Sequence, residues 1–440
     1  MRGITRRRFN KVAATTLAAP MFVQAKNRVD KLRIAMIACG GRGGHNMNSV
    51  GTEEIVALCD VNADAVEAAA KKHPEAKKYS DFRKVFDKPN DFDAVMVSTC
   101  EHTHYHATML ALKNKKHVYC EKPLSHNVWE ARELRLAAAK AGVVTQMGIQ
   151  NHANPNYRRV VELIQGGVIG NVSEVHVWVS RAWGLQSEAA AKRNKDIEYI
   201  TERPKDMPAK PAGLDWDLWI GPAAVRPFHT TYFPGPKWYR WWEFGNGTMS
   251  DLGSHSNDLA FWALNLKAPK TVEAKGIPVN AEIAPATMSA VYEYGPRGSM
   301  PAVKHFWYQG EDKPPHYKDG RCPKWGNASL FVGDKGMLIS NYDKHVLLPE
   351  KDFKEVKLPV ESIPRVKSHW LEWTDACKGN GKTLADFEYS GWLTEANHLG
   401  NVAYRTGKKL IWNAETMTAE NAPEAAKYLK REYRKGWEVS

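Results

Sequence analysis

The sequence predicts an α/β chain in two parts. A doubly wound parallel sheet should occupy residues 30–150, and an α/β domain with a large open, mainly antiparallel sheet residues 151–410. Three observations carry this. Short apolar runs alternate with helical stretches from 30 to 150, the signature of parallel strands with crossover helices. The first run ends in a glycine-rich turn and the second in an acid. After Asn151 the texture changes to alternating strands, a proline-rich loop and late helices. With 440 residues, 43% hydrophobic and 25% charged, the chain can bury two or three cores. No apolar run is long enough to span a bilayer.

Residues 1–25 read as a leader rather than fold. Thr5-Arg6-Arg7-Arg8-Phe9-Asn10-Lys11 resembles a twin-arginine export signal, with an apolar stretch from Val12 to Val23 and a small-residue cleavage site at Ala25. The rival reading is a flexible basic N-terminus. Export by this route predicts a periplasmic or secreted protein that engages the twin-arginine machinery and folds beforehand. The six cysteines, Cys39, Cys59, Cys100, Cys120, Cys322 and Cys377, form no C-x-x-C pair and are expected as buried thiols. Loss of the leader would remove five cations and no acid, lowering the net charge from +13 to +8. The remaining Lys and Arg are scattered, so nucleic-acid binding is not expected.

Lys31 to Ala38 reads as the first strand, running into Cys39-Gly40-Gly41-Arg42-Gly43-Gly44. Glycines here permit a tight turn and close approach to a phosphate at a helix N-terminus. Ala38 stands where the G-x-G-x-x-G pattern has its first glycine. Ile55 to Asp60 is the second strand, and Asp60 lies 17 residues beyond Gly43. A carboxylate there suits ribose hydroxyls and repels a 2′-phosphate, which favours NAD over NADP. Its alternative role is to cap a helix from Ala63 to Lys72.

Asp93 to Thr99 is a further strand, followed by Cys100-Glu101-His102-Thr103-His104-Tyr105-His106. No acid or cysteine completes a convincing metal-ligand set with the alternating histidines. They are expected to line the cofactor cleft ahead of a helix from Ala107 to Lys113. The strand Val118 to Cys120 must end at Pro123, which cannot donate to a ladder. Glu121 and Lys122 therefore stand at the carboxyl end of a strand, where such sheets bind ligands; the alternative is a solvated salt bridge. Trp129 to Ala141 should be a helix and Val143 to Gln150 a strand.

Tyr157 to Gln165 should be helical and Val172 to Ser180 a half-exposed strand. Residues 185–235 should form an extended loop, followed by Trp238-Tyr239-Arg240-Trp241-Trp242-Glu243-Phe244. Those rings could stack on a sugar, with Trp241 a candidate, or fill an interdomain core. In Asp251-Leu252-Gly253-Ser254-His255, helical spacing would put the carboxylate beside the imidazole, orienting it and raising its basicity. The alternative is a capped helix with a buried histidine. Strands are expected at Thr271–Lys275, Ser289–Tyr294, Ala302–Trp307 and Ala328–Val332, and helices at Lys367–Cys377 and Trp392–Arg405. Residues 411–440 should be a helical tail, with a charged helix over Ala422–Trp437.

Taken together, the glycine loop, Asp60, the Thr99–His104 segment, Glu121-Lys122-Pro123 and Asp251-x-x-x-His255 resemble the Gfo/Idh/MocA oxidoreductases over about residues 30–410. Trp216-Asp217-Leu218-Trp219-Ile220-Gly221-Pro222 and Phe331-Val332-Gly333-Asp334-Lys335-Gly336 add to the likeness. The resemblance implies a Rossmann domain, bound NAD(P) and an open sheet used for homo-oligomers. It implies cofactor contacts from Gly40, Gly41, Arg42, Gly43, Asp60, Thr99, His102, His104, Glu121, Lys122 and Gln150. His255 would be the general base, with Lys122, Asp251 and Trp241 on a carbohydrate substrate and no metal. Cys100 replaces the family's usual proline.

The expected activity is NAD(P)-dependent oxidation of a secondary hydroxyl on a sugar, glycoside or cyclitol, with tightly bound NAD. The alternative is a redox-neutral NAD-dependent glycoside hydrolase or lyase, working by oxidation, elimination, hydration and reduction. A non-catalytic NAD- or sugar-binding protein is the third reading, disfavoured by the presence of Lys122, Asp251 and His255.

Overall fold

A computed structural model describes residues 31–439 as one compact unit. The expected leader lies outside the described residues. The first sheet contains β1 (Arg33–Ile37), β2 (Glu54–Cys59), β3 (Lys77–Tyr79), β4 (Ala94–Val97), β5 (His117–Glu121) and β6 (Thr145–Gly148). All pairs are parallel, in the order β3-β2-β1-β4-β5-β6. The order reverses between β1 and β4, which opens the crevice where such sheets bind nucleotides. β3 was not expected, because Lys77-Lys78-Tyr79 is an exposed edge with no apolar run.

The turn after β1 is tight. Gly43 lies in the helix Gly41–Ser49, where an added Cβ would meet the Ala38 carbonyl oxygen at 2.1 Å. Only glycine lets that helix approach the strand so closely. Ala38 makes the turn with φ of 75°, in the left-handed region. An alanine there is strained, so Ala38→Gly should stabilise the protein by about 1 kcal/mol. Chemical denaturation would show this as a raised midpoint at unchanged slope.

The helix expected from Ala107 begins six residues earlier and spans Glu101–Lys113. Its polar first turns obscured it, yet they are buried: His102, His104 and His106 are each under 4% exposed. Cys100 precedes it with φ of −71°, a value that proline also adopts, so the exchange preserves the loop path.

The second sheet has nine strands: β7 (Val172–Val179), β8 (Thr271–Gly276), β9 (Met288–Tyr294), β10 (Val303–Gln309), β11 (Ala328–Gly333), β12 (Gly336–Ser340), β13 (His345–Leu348), β14 (Leu410–Asn413) and β15 (Thr418–Ala419). Their order is β13-β12-β11-β7-β10-β9-β8-β14-β15, and only β7 with β10 is parallel. β7 is not half-exposed as expected. Val175, Val177 and Val179 face the main core, while the loop before β11 covers Trp178, whose indole N–H donates to the Trp325 carbonyl at 2.8 Å.

The chain returns to the first domain through the helix Phe387–Thr406. Glu395 on it meets Arg132 of the helix Val128–Ala141 at 2.7 Å, with both side chains buried. The predicted tail helix is not formed. Beyond β14 and β15, residues 423–429 make two short turns and the rest is irregular. Its aromatic side chains decide its path: Trp437 is buried beside Phe82 and under Arg83, and the Tyr433 hydroxyl donates to Glu130 at 2.9 Å. All six cysteines are unpaired thiols; Cys100 and Cys377 are partly exposed.

Candidate active site

β5 delivers Glu121 and Lys122 to the carboxyl edge of the first sheet, and the two side chains separate. Glu121 turns inward and is 4% exposed, which rules out a solvated salt bridge. Its Oε1 accepts from Asn46 at 3.0 Å and Gln150 at 3.1 Å. Gly148 lies against this carboxylate, where a Cβ would come within 2.6 Å. Burial pushes the Glu121 carboxyl up, against the bond from Asn46 and the Lys122 charge. Glu121 and Gln150 thus clamp the glycine-loop helix to β5 and β6.

Lys122 points into the cleft between the domains, where its ammonium donates to Asp251 Oδ1. The second carboxylate oxygen, Oδ2, accepts from Arg181. Burial alone would raise the Asp251 carboxyl, but Lys122 and Arg181 outweigh it and hold it below the usual carboxylate range. The Arg181 guanidinium lies 4.4 Å over the Trp183 ring, which stacks on Tyr239 at 6.1 Å. Sequence reasoning missed Arg181 and Trp183. The available signal was position: Arg181 follows Ser180 at the carboxyl end of β7, as Lys122 follows the end of β5.

The Asp251–His255 reading needs correction. The helix Gly247–Asp251 ends at Leu252, and a second helix, Gly253–Ala263, carries His255. The Asp251 carboxylate is spent on two cations and makes no hydrogen bond to the imidazole. His255 Nδ1 has no partner among the described residues. Burial, then the Lys122 charge, push His255 down to about 3, with Asp251 opposing. The imidazole is therefore held neutral at pH 7.

Behind Asp251 lies Glu101, fully buried and also missed from sequence. It accepts from the Ser250 hydroxyl at 2.6 Å and from Asn246 at 2.8 Å. Burial pushes it up to about 8, those two donors opposing.

Two expected contacts are not at the cleft. His102 is packed between Trp219 and Phe244, its Nε2 2.9 Å from the Trp219 carbonyl oxygen. Trp241 is 0% exposed and donates its indole N–H to the Thr231 carbonyl. With Trp216, Trp219, Tyr232 and Phe244 it forms the separate small core that orders the long loop. Ring density here marks packing, so Trp241 cannot reach a sugar. His104 braces the site instead: its ring nitrogens lie 2.7 Å from the Pro123 carbonyl oxygen and 3.0 Å from that of Thr99.

The glycine-loop helix suits a pyrophosphate. Its first turn has no side-chain cap and no acid, so its N–H groups are free for an anion. Gly40, Gly41 and Arg42 are exposed at this end. Asp60 ends β2 and accepts from the Cys39 and Gly40 amides at 2.8 and 3.3 Å, which shapes the loop. It does not cap the next helix; Asn62 does, accepting from Asp64. Gly43, the free helix terminus and Asp60 together fit a bound dinucleotide.

Burial holds several further histidines neutral: His102, His305 and His369 near 3, His104 and His398 near 4. Their folded values lie below the ordinary 6.5, so the unfolded chain binds more protons between these limits. Stability should be full above about pH 6.5 and fall steeply toward pH 4. Thermal melts across pH 4–8 would check this; a flat profile from 7 to 5 would contradict it.

A parallel sheet with a dinucleotide crevice, a second open sheet and a cleft between them holding Lys122, Asp251 and His255 define a two-domain protein with a Rossmann domain. The chain belongs to the Gfo/Idh/MocA oxidoreductase family: the NAD-binding Rossmann fold of that family matches residues 32–149, and its C-terminal α/β domain residues 155–439. An uncharacterised oxidoreductase YrbE of Bacillus subtilis is 32% identical over 127 residues, 28% of this chain and 36% of that protein. A myo-inositol 2-dehydrogenase of Thermotoga maritima is 30% identical over 142 residues, 32% of this chain and 42% of that protein. The chain thus spans less than half the length of these relatives. The WlbA dehydrogenase of Bordetella pertussis, solved with NADH and UDP-GlcNAcA, has the same fold at TM-score 0.59 and 18% identity, covering 87% of this chain and 99% of that one.

Proposed function

We propose that the protein uses tightly bound NAD to oxidise a secondary hydroxyl of a sugar, glycoside or cyclitol. The observation that carries this is Lys122, Asp251 and Arg181 joined beside a neutral His255 at the mouth of the dinucleotide crevice. Inositol dehydrogenases among the relatives support the substrate class. NAD, when bound, supplies the hydride acceptor. Lys122 hydrogen-bonds to the reacting oxygen and offsets its developing charge. His255 takes the hydroxyl proton. Asp251 fixes the Lys122 ammonium, and Trp183 offers a ring face at the rim. Asp60 favours NAD over NADP. Tyr157, buried with its hydroxyl 3.5 Å from the His255 carbonyl oxygen, packs on Tyr342 at 5.9 Å and braces the His255 helix.

The leader-like pattern at Thr5–Lys11 supports export by the twin-arginine route and a periplasmic or secreted location, and the open second sheet offers a face for self-association. Export also favours a second reading, because an exported enzyme lacks a free NAD pool. In a redox-neutral glycoside hydrolase or lyase the bound cofactor is restored in each cycle. A panel of cyclitols, sugars and glycosides separates the readings: absorbance at 340 nm rising one-for-one with product marks a net dehydrogenase, and product far exceeding NADH marks the redox-neutral enzyme. No turnover of any member, by either readout, would overturn both.

A further inference from the structure

A cavity of about 430 Å³ lies away from the catalytic cleft, between the C-terminal tail, the helix Phe387–Thr406 and the turn at Trp242–Asn246. Five cations line it; Arg431 and Arg434 pair with Glu130 and Asp217, while Arg405, Lys427 and Lys430 pair with no carboxylate among the described residues. Arg405 is sandwiched between the rings of Trp242 and Tyr428, at 4.9 and 4.0 Å, and makes no hydrogen bond or ion pair among the described residues. Lys427 and Lys430 lie over the Tyr428 and Trp129 rings and pair with no carboxylate there. Two of the wall's acids, Glu243 and Glu282, are near Arg226, at 3.7 and 3.5 Å. A third, Glu432, is exposed.

Buried polar atoms on the same wall are also unmatched. His126 is 7% exposed and both of its ring nitrogens lack a partner, as does the amide nitrogen of Asn127, 5% exposed. A guanidinium withdrawn from water without an acceptor is costly, and its planar fork matches a carboxylate or phosphate edge. Flanking aromatic rings favour a ligand with an organic body as well as a charged end.

We propose that this cavity is a binding site for a small oxyanion, the phosphate or carboxylate group of a metabolite. Arg405 grips the group, and Lys427 and Lys430 attract it. The site abuts the catalytic segments and meets them at Asn246, which lines the cavity. Asn401, one turn before Arg405, donates to the Asn246 carbonyl at 3.0 Å, and Asn246 donates to Glu101 and to the His126 carbonyl, each at 2.8 Å. The helix that ends at Asp251 starts at the next residue.

Calorimetric titration of the NAD-loaded protein with inorganic phosphate and, separately, with galacturonate tests this and tells the two oxyanion sources apart. At least one should bind, equally to wild type and to Lys122→Ala within twofold. Arg405→Met, which keeps the packing between the rings, should weaken binding about tenfold or more. The surface pair Lys427→Gln/Lys430→Gln should weaken it about threefold and flatten its salt dependence. Should Arg405→Met fail to fold, the surface pair decides. Binding of neither anion, binding lost in Lys122→Ala, or wild-type affinity in the Arg405 or surface variants would overturn the proposal.

Discussion

Lys122→Ala should lower kcat by about 10³-fold while NAD affinity stays within a few-fold of wild type. The ammonium is the one positive group that β5 carries into the cleft, and Asp251 holds it in place. Without it nothing on that strand offsets charge on the reacting oxygen. The proposed pyrophosphate and ribose contacts lie elsewhere, on the glycine-loop helix and at Asp60, so most of the NAD binding should survive. Steady-state kinetics and a fluorescence titration of NAD measure both quantities. A kcat within tenfold of wild type would remove Lys122 from the mechanism.

Asp251→Asn should cost stability as well as turnover. The carboxylate serves Lys122 and Arg181 together, and the three side chains are only 16, 30 and 14% exposed for Lys122, Arg181 and Asp251. A carboxamide leaves two cations facing each other without an anion, a loss of about 3 kcal/mol by comparison with other broken buried pairs. Added salt should recover part of this by screening the repulsion. Arg181→Gln in the same chain should recover more, by removing one of the two charges. Denaturant melts of the single and double variants give the coupling directly; additive losses would mean that Asp251 and Arg181 do not act together.

Acid sensitivity has the same origin. The Asp251 carboxyl is held low in the folded state, so its contribution is present above the ordinary carboxylate range and is lost as pH falls through its folded value. The buried histidines lose theirs at higher pH, between about 6.5 and 4. Acid unfolding should therefore begin with the histidines.

The first domain was legible, β3 apart, because its strands are apolar runs closed by glycine, acid or proline, and such closures also mark candidate ligand positions. Lys122 and Asp60 could be placed from that alone. The start of the helix at Glu101 was hidden because its buried face is polar, and burial there depends on Trp219 and Phe244, more than a hundred residues away. Arg181 was passed over for a similar reason: its partner, Asp251, is distant in sequence. The Asp251–His255 spacing did bring both groups to the cleft, but the break at Leu252 gave the carboxylate to lysine and arginine. Trp241 and the tail failed in opposite directions. A dense aromatic run looked like a recognition wall and is packing, and a charged run looked like a helix and is a strap fixed by Tyr433 and Trp437.

The measurement that tests the central claim most directly is isotope transfer from the best substrate of the panel, deuterated at the carbon bearing the hydroxyl. The reaction is quenched during turnover and the cofactor recovered for mass spectrometry. Deuterium in the recovered NADH is predicted, whether net oxidation or a redox-neutral cycle follows, and Lys122→Ala should abolish it. Product formed with no label ever entering the cofactor would contradict hydride transfer from a CH–OH carbon at this site.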